Sequence, residues 1–429
     1  MSIPEVYKKW FLKLLLGPGD TMTFRKYRDE PLDPEGVDNL YIHVPYCRNK
    51  CPYCPYFKEL YNERQAGFFG DSLLREIEMH TGWLKGKEIQ SLYVGGGTPT
   101  LLNSHLIPAI DRLRQLCTLH NVAIETTPTE INNRVTGELA GMGCNLISLG
   151  VQNFNPKYLD FLGRKYTVSD VYRAIDKLEQ LNFHNFNIDL IFAMPGQTMK
   201  ELDQTLQIAI DTGAHQLTLY PLFTFPYSVI GKSQELSHVV MPDGKTRKQM
   251  YYHIMDTLTA KGYKQVSVWS FLKGNALKYS SVTRDKYLGL GPSAGTYTGK
   301  QFLFNTFNIK EYLAMTMRGQ IPGSYIMDVS PRLERLFWIY WRLYETGISL
   351  NAYRMRFGSD FMDDYGKWVR LILRLGYACR TDDHIMLTKK GIHRIHLMQN
   401  HFALEYINRI WTACTMETPP EEISLSALH

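Results

Sequence analysis

Short apolar runs alternate with longer amphipathic ones through the first half of the chain. Leu40–Val44 is an apolar run of strand length, and Gly67–His80 follows with Phe68, Leu73, Leu74 and Ile77 at helical spacing. The pattern repeats, predicting strands at Ile89–Val94, Ala123–Thr127, Leu146–Gly150, Asn185–Ile191 and Gln216–Tyr220. Helices are predicted at Leu106–His120, Asn132–Met142, Val168–Leu181 and Met199–Thr212. Each crossover is long enough to return the chain for parallel pairing. About six such units make an α/β fold, a parallel barrel or an open sheet, with its chemistry at the C-terminal strand ends.

Beyond Tyr220 the pattern changes. Pro221–Pro226 (PLFTFP) is an aromatic loop suited to walling a flat or apolar ligand, and Lys245–Lys261 reads as a helix. From about Val329, helices are predicted at Arg332–Glu345 and Phe361–Leu375, and Gly376–Cys379 with Ile385–Thr388 as a small β-wing. Lys389–Gly391 opens a last helix, and the tail Glu417–His429 is expected to be poorly ordered. Near the start, Ile3–Leu16 reads as an amphipathic helix docking on the body. Its apolar stretch WFLKLLL is interrupted by Lys13 and too short to span a bilayer.

The chain has 429 residues, 44% apolar and 21% charged, which is ordinary soluble-globular usage with room for two or three domains. Its net charge of +6 is spread out, with no basic arm for nucleic acid; Lys389, Lys390, Arg394 and His396 make only a modest basic edge. Seven cysteines in such a length do not make a disulfide framework. Cys117, Cys144, Cys379 and Cys414 are most simply buried structural thiols.

Cys47, Cys51 and Cys54 are different. They form a C-x3-C-x2-C triplet just past the first predicted strand. A structural zinc needs four ligands, and no second pair of cysteines or histidines lies nearby. A [4Fe–4S] cluster takes one thiolate per iron, so three cysteines leave one iron open to an exogenous ligand. An iron–sulfur site also needs reduced thiols, which places the chain in the cytoplasm. Gly95-Gly96-Gly97-Thr98 follows the second strand, where the missing Cβ atoms allow close backbone approach. Glu125 is either a solvated strand end or a ligand group. Asp189 in a buried strand needs hydrogen-bond partners, from a ligand or from capping the loop that follows.

The stretch Tyr41-Ile42-His43-Val44-Pro45-Tyr46-Cys47 resembles the cluster loop of the radical S-adenosylmethionine (SAM) enzymes. It is most similar to the branch of the oxygen-independent coproporphyrinogen III oxidase and its relatives. Ser148–Phe154, Leu162-Gly163-Arg164, Asn187–Ile191, Pro195–Thr198 and Tyr287–Ala294 add to the resemblance, which runs from about Leu40 to about Asn305. It implies a partial (β/α)6 barrel over residues 38–265, after an N-terminal helical segment 1–37. An extension (266–328) and a mostly helical, winged-helix-like domain (329–429) follow. It implies an oxygen-sensitive [4Fe–4S] cluster on Cys47, Cys51 and Cys54, with SAM chelating the open iron and cleaved to a 5′-deoxyadenosyl radical. Gly95, Gly96, Gly97 and Thr98 then hold the SAM amino group, while Glu125 contacts SAM. Gln152 and Asp189 meet the ribose, and Arg164 the nucleoside or methionine part. Tyr41 lies against SAM and Tyr53 near its adenine. An electron donor such as flavodoxin or ferredoxin is implied; nucleic acid is not.

Two departures bear on the reaction. The oxidase carries a fourth cysteine where this chain has Tyr56, and the haem-chaperone relatives carry a His-Asn-x-x-Tyr-Trp stretch where this chain reads Asn275–Ser280. By elimination the resemblance points to the C-methylating and methylene-transferring relatives, with a second SAM supplying carbon to a porphyrin, haem or other extended aromatic substrate. The alternatives are oxidative decarboxylation of a porphyrinogen and a haem-binding carrier that retains the cluster.

Overall fold

The computed structural model describes residues 22–225, 228–235, 240–402 and 407–425; the expected helix Ile3–Leu16 and Pro226 lie outside these. Six strands lie side by side in sequence order, each parallel to the next. They are β1 (Asn39–Val44), β2 (Ser91–Gly96), β3 (Val122–Thr126), β4 (Leu146–Gln152), β5 (Asn185–Phe192) and β6 (Gln216–Pro221). Between them run α1 (Glu63–Met79), α2 (Asn103–Leu116), α3 (Asn133–Gly141), α4 (Val168–Glu179) and α5 (Met199–Asp211), and α6 (Gly244–Ala260) follows β6. The helices begin where capping side chains allow. The Asn62 side chain accepts from the Gln65 N–H and starts α1 a turn before the apolar periodicity does. Capping boxes at Thr167/Asp170 and Thr198/Glu201 fix the starts of α4 and α5.

Alternation along each strand sorts the two faces of the sheet. Leu40, Ile42, Val44, Leu92, Val94, Ile124, Ile147, Leu149 and Ile188 are fully buried in the main core with the helices. The intervening positions are polar or aromatic and lie next to one another across the strands: Tyr41 beside Tyr93, Glu125 beside Ser148, Ser148 beside Asn187, and Asp189 beside Thr218. β7 (Tyr263–Gln265) and β8 (Ser270–Lys273) add antiparallel strands beyond β6, and β9 (Leu288–Leu290) pairs parallel to β1. The resulting nine-stranded sheet is open, with β7 and β9 at its edges.

A second, five-stranded antiparallel sheet was not predicted. It joins Gly295–Tyr297, Gln301–Asn305 and Gly323–Asp328 to Thr23–Lys26 and Glu422–Ser424. This corrects the expectation of a loose tail from Glu417. Phe24 opposes Ile423 and Arg25 opposes Glu422, while the Leu425 N–H donates to Met22 O at 2.8 Å. Ile423 and Leu425 pack against Phe24 and Phe304 in a core of their own, and that burial is what orders the segment. The C-terminal part holds α7 (Pro331–Tyr344), the expected wing and α8 (Lys389–Phe402). The wing pairs His384–Leu387 with Ala378–Arg380, and Gly347–Ser349 completes it as a third strand. Leu350–Phe357, capped by Ser349, is a helix that the periodicity did not reveal. No described helix is long and apolar enough to cross a membrane.

Candidate active site at the strand ends

Cys47, Cys51 and Cys54 lie on the loop leaving β1, with Tyr53, Gly96, Gly97, Thr98 and Arg164 around the same cavity. The loop is held by its own backbone: the Tyr61 N–H donates to Cys47 O at 2.9 Å, the Cys54 N–H to Cys51 O at 3.3 Å, and Lys58 Nζ to Cys54 O at 2.9 Å. Cys51 and Cys54 rest on a small apolar core that includes Tyr53, Leu162, Met194 and Ile230. The Thr98 hydroxyl donates to Cys47 Sγ at 3.6 Å, and burial pushes the Cys47 thiol up to about 11. All seven cysteines are free; Cys117 and Cys144 are buried as expected, but Cys379 is exposed because it lies on an outer strand of the three-stranded wing. Among the described residues no three metal-binding side chains gather on a single ion. A cubane cluster makes a different demand, one thiolate per iron, and three separate thiols around one cavity suit it.

The glycine turn at the end of β2 is shaped by the protein itself. A Cβ on Gly97 would lie 2.4 Å from Tyr46 O, and Gly96 has φ +108° and a Cβ there would fall 2.6 Å from the His43 ring. The Gly97 N–H donates to Val44 O at 2.7 Å, the Thr98 N–H to Tyr46 O at 2.8 Å, and the Gly96 N–H to Glu125 Oε2 at 3.2 Å. With those donors occupied, the turn has acceptor oxygens to offer. That is the right polarity for an ammonium group.

Glu125, Gln152 and Asp189 sit in the polar layer of the sheet. Glu125 also accepts from the Tyr93 hydroxyl, and burial, with the Asp189 charge adding to it, pushes its carboxyl up to about 7. Asp189 accepts from Ser148 Oγ and Asn187 Nδ2, each at 2.8 Å, so it does not cap the loop that follows. Burial raises it to about 6. Gln152 adopts φ +67° at the end of β4 and accepts from the Tyr220 hydroxyl at 2.8 Å. The Tyr41 hydroxyl meets His43 Nδ1 at 2.8 Å; His43 Nε2 reaches Phe57 O at 3.0 Å, and burial keeps that ring neutral, down to about 4.

Arg164 is the group left most in need of a partner. Its guanidinium donates to the Tyr53 hydroxyl and lies 5.5 Å from the Tyr53 ring centroid, yet its buried Nε–H has no acceptor. A cationic donor facing three thiols fits a carboxylate-bearing cofactor bound at a cluster. Other groups at the cavity escaped the sequence reading. Arg48 forms a bidentate pair with the buried Glu130 at 2.8 and 3.2 Å, and Tyr166 closes the far wall. Arg48 directly follows a cysteine, which was the available signal; nothing in the sequence marked Glu130.

Residues 41–209 match the model of the radical SAM superfamily. The chain is 26% identical to a heme chaperone HemW of Lactococcus lactis over 86% of its own length and 98% of the relative's. It is 25% identical to the oxygen-independent coproporphyrinogen III oxidase of Escherichia coli, over 65% of each chain. Its fold is similar to that of coproporphyrinogen III oxidase (HemN) from E. coli, described as a radical SAM enzyme, with a TM-score of 0.71 at 21% identity, covering 86% of this chain and 91% of that one. Residues 41–209 are thus a radical SAM domain, in a chain whose relatives include HemN and HemW, and such a domain implies a [4Fe–4S] cluster and SAM.

Proposed function

We propose that Cys47, Cys51 and Cys54 hold the cluster and that the chain cleaves SAM reductively to act on a haem-like or porphyrin-like ligand. The observation that carries this is the single cavity shared by the three thiols, the glycine turn and the partnerless Arg164 Nε–H. When bound, the cluster and SAM supply a one-electron cleavage and a carbon radical. The protein's part is placement. Gly95, Gly96, Gly97 and Thr98 present acceptors to the SAM ammonium, and Arg164 clamps its carboxylate end. Gln152 and Asp189 take the ribose hydroxyls, Tyr53 flanks the adenine, and Tyr41 packs against the ligand. Glu125 acts through the turn it braces. A small one-electron donor such as flavodoxin or ferredoxin reaches the cluster in the cytoplasm.

For the fate of the ligand, methyl or methylene transfer with a second SAM rests on Tyr56 and on the absent histidine in Asn275–Ser280. A haem-carrying role without turnover is favoured by the HemW relative, which this chain matches over 98% of its length. Anaerobically reconstituted protein should carry about four irons, and Cys51→Ala should lose both the iron and 5′-deoxyadenosine formation. Wild-type protein that takes one zinc and no iron refutes the reading. Methyl-labelled SAM supplied with haem, porphyrinogens and extended aromatic metabolites then separates the fates. Label in the product with S-adenosylhomocysteine means transfer, a lost carboxyl without label means decarboxylation, and stoichiometric haem without 5′-deoxyadenosine means carriage.

A further inference from the structure

The aromatic residues after β6 lead away from the cavity into a second cluster of polar groups. Tyr220 stacks on Phe223 with centroids 6.5 Å apart, and Phe223 meets Trp269 edge-on at 5.4 Å. The Trp269 indole N–H donates to His396 Nδ1 at 3.0 Å. That bond fixes the tautomer: the ring proton sits on Nε2, so the other side of His396 presents a donor. Burial and the nearby Arg247 and His393 keep the imidazole neutral.

Helices α6 and α8 pass each other antiparallel at this spot. Lys389 pairs with Asp256, His393 meets Tyr252 at 5.6 Å between centroids, and His396 stacks on Tyr251 at 5.1 Å. One further turn along each helix brings Gln399 level with Arg247. Gln399 is only 3% exposed, and neither its amide nitrogen nor its oxygen has a hydrogen-bond partner. Arg247 makes one long contact, to Leu222 O at 3.5 Å, and burial lowers its pKa with no carboxylate among the described residues to oppose the effect. The charges felt nearby are those of Lys248 and Arg394, while Asp256 is taken by Lys389 and Asp243 caps α6. A half-buried guanidinium without a counter-ion is costly. Arg247, the Gln399 amide nitrogen and His396 Nε2 each offer a donor, and a set of donors of this kind complements an oxyanion.

We propose that Arg247, Gln399 and His396 form an oxyanion site that holds the carboxylate of a flat aromatic ligand lying against Phe223 and Trp269. It rests on the proposed function only in placing the reacting end of that ligand at the thiol cavity. The test is calorimetric titration of the reconstituted full chain with 2-naphthoate and with uncharged 2-naphthamide. Naphthoate should bind, and the amide roughly tenfold more weakly, the difference one charge-assisted contact makes. Arg247→Gln should level the two, and Arg247→Lys should keep part of the preference, which guards against a simple folding defect. Equal binding of both compounds, a preference that survives Arg247→Gln, or no uptake of naphthoate at millimolar concentration overturns the site. Iron content and 5′-deoxyadenosine, measured on the same samples, judge the proposed function separately. Charge-selective binding in a protein that never cleaves SAM would retain the site and refute that function.

Discussion

Glu76 on α1 and Glu125 on β3 are buried carboxyls that the protein pushes up to the same value, about 7. Their surroundings set them apart. Glu76 receives the Gly291 N–H and the Tyr312 hydroxyl, each at 2.7 Å, and Asn305 Nδ2 at 2.8 Å. Those donors come from β9's exit, the Gln301–Asn305 strand and the Ile309–Met317 helix, so this one side chain pins all three to α1. Glu125 receives two donors, Tyr93 and Gly96, and braces a turn that borders the thiol cavity. A raised pKa marks burial in both cases and the edge of the thiol cavity in only one. What distinguishes them is whether the partners belong to the scaffold or to the edge of a cavity.

The comparison is broken most forcefully at Glu76. Glu76→Ala strands three buried donors, at about 1–3 kcal/mol each where water cannot replace the carboxylate, and should remove roughly 4 kcal/mol of stability. Urea unfolding measures it, and an unchanged midpoint would mean the three segments dock without the carboxyl. Next in size is the effect of pH. A folded pKa above the unfolded value means the native chain keeps a proton that the unfolded chain releases. Glu76's contribution is therefore full below about 4.5 and is lost as pH rises through about 7, a span of roughly 3 kcal/mol. Glu76→Gln should flatten that slope in unfolding measured from pH 5 to 8; an identical slope would assign it to other groups. The smallest effects belong to the rim. Glu125→Gln, Gln152→Ala and Asp189→Ala should each weaken SAM binding by about 1–3 kcal/mol with iron content little changed. SAM affinity equal to wild type in all three would detach the polar layer from the cofactor.

Much of the rim was legible because its residues are close in sequence to strand ends and chemically conspicuous. The thiol triplet, Gly96, Gly97, Thr98 and Arg164 all reach one cavity, and of the expected turn only Gly95 does not line it. Tyr41, Glu125, Gln152 and Asp189 lie in the polar layer, and their partners Tyr93, Ser148, Asn187 and Tyr220 went unnoticed. Tyr93 and Ser148 sit on neighbouring strands and Tyr220 two strands away, and register across a parallel sheet leaves no periodic trace in a single run. Glu76 was hidden for a related reason: it reads as one more polar position on an amphipathic helix until Tyr312 arrives from over 200 residues away. The same holds for Arg247 and Gln399, which come level only because two helices pass antiparallel.

The five-stranded sheet sets an order of assembly. Its strand Thr23–Lys26 lies between Gly323–Asp328 and Glu422–Ser424, and Thr23 pairs with Ser424 some 400 residues later in the chain. During synthesis the radical SAM strands can pair as they emerge, each beside its predecessor, while Thr23–Lys26 must wait with one edge bare for Gly323–Asp328 and with the other for Glu422–Ser424. That strand is the clasp of the molecule, and it closes last.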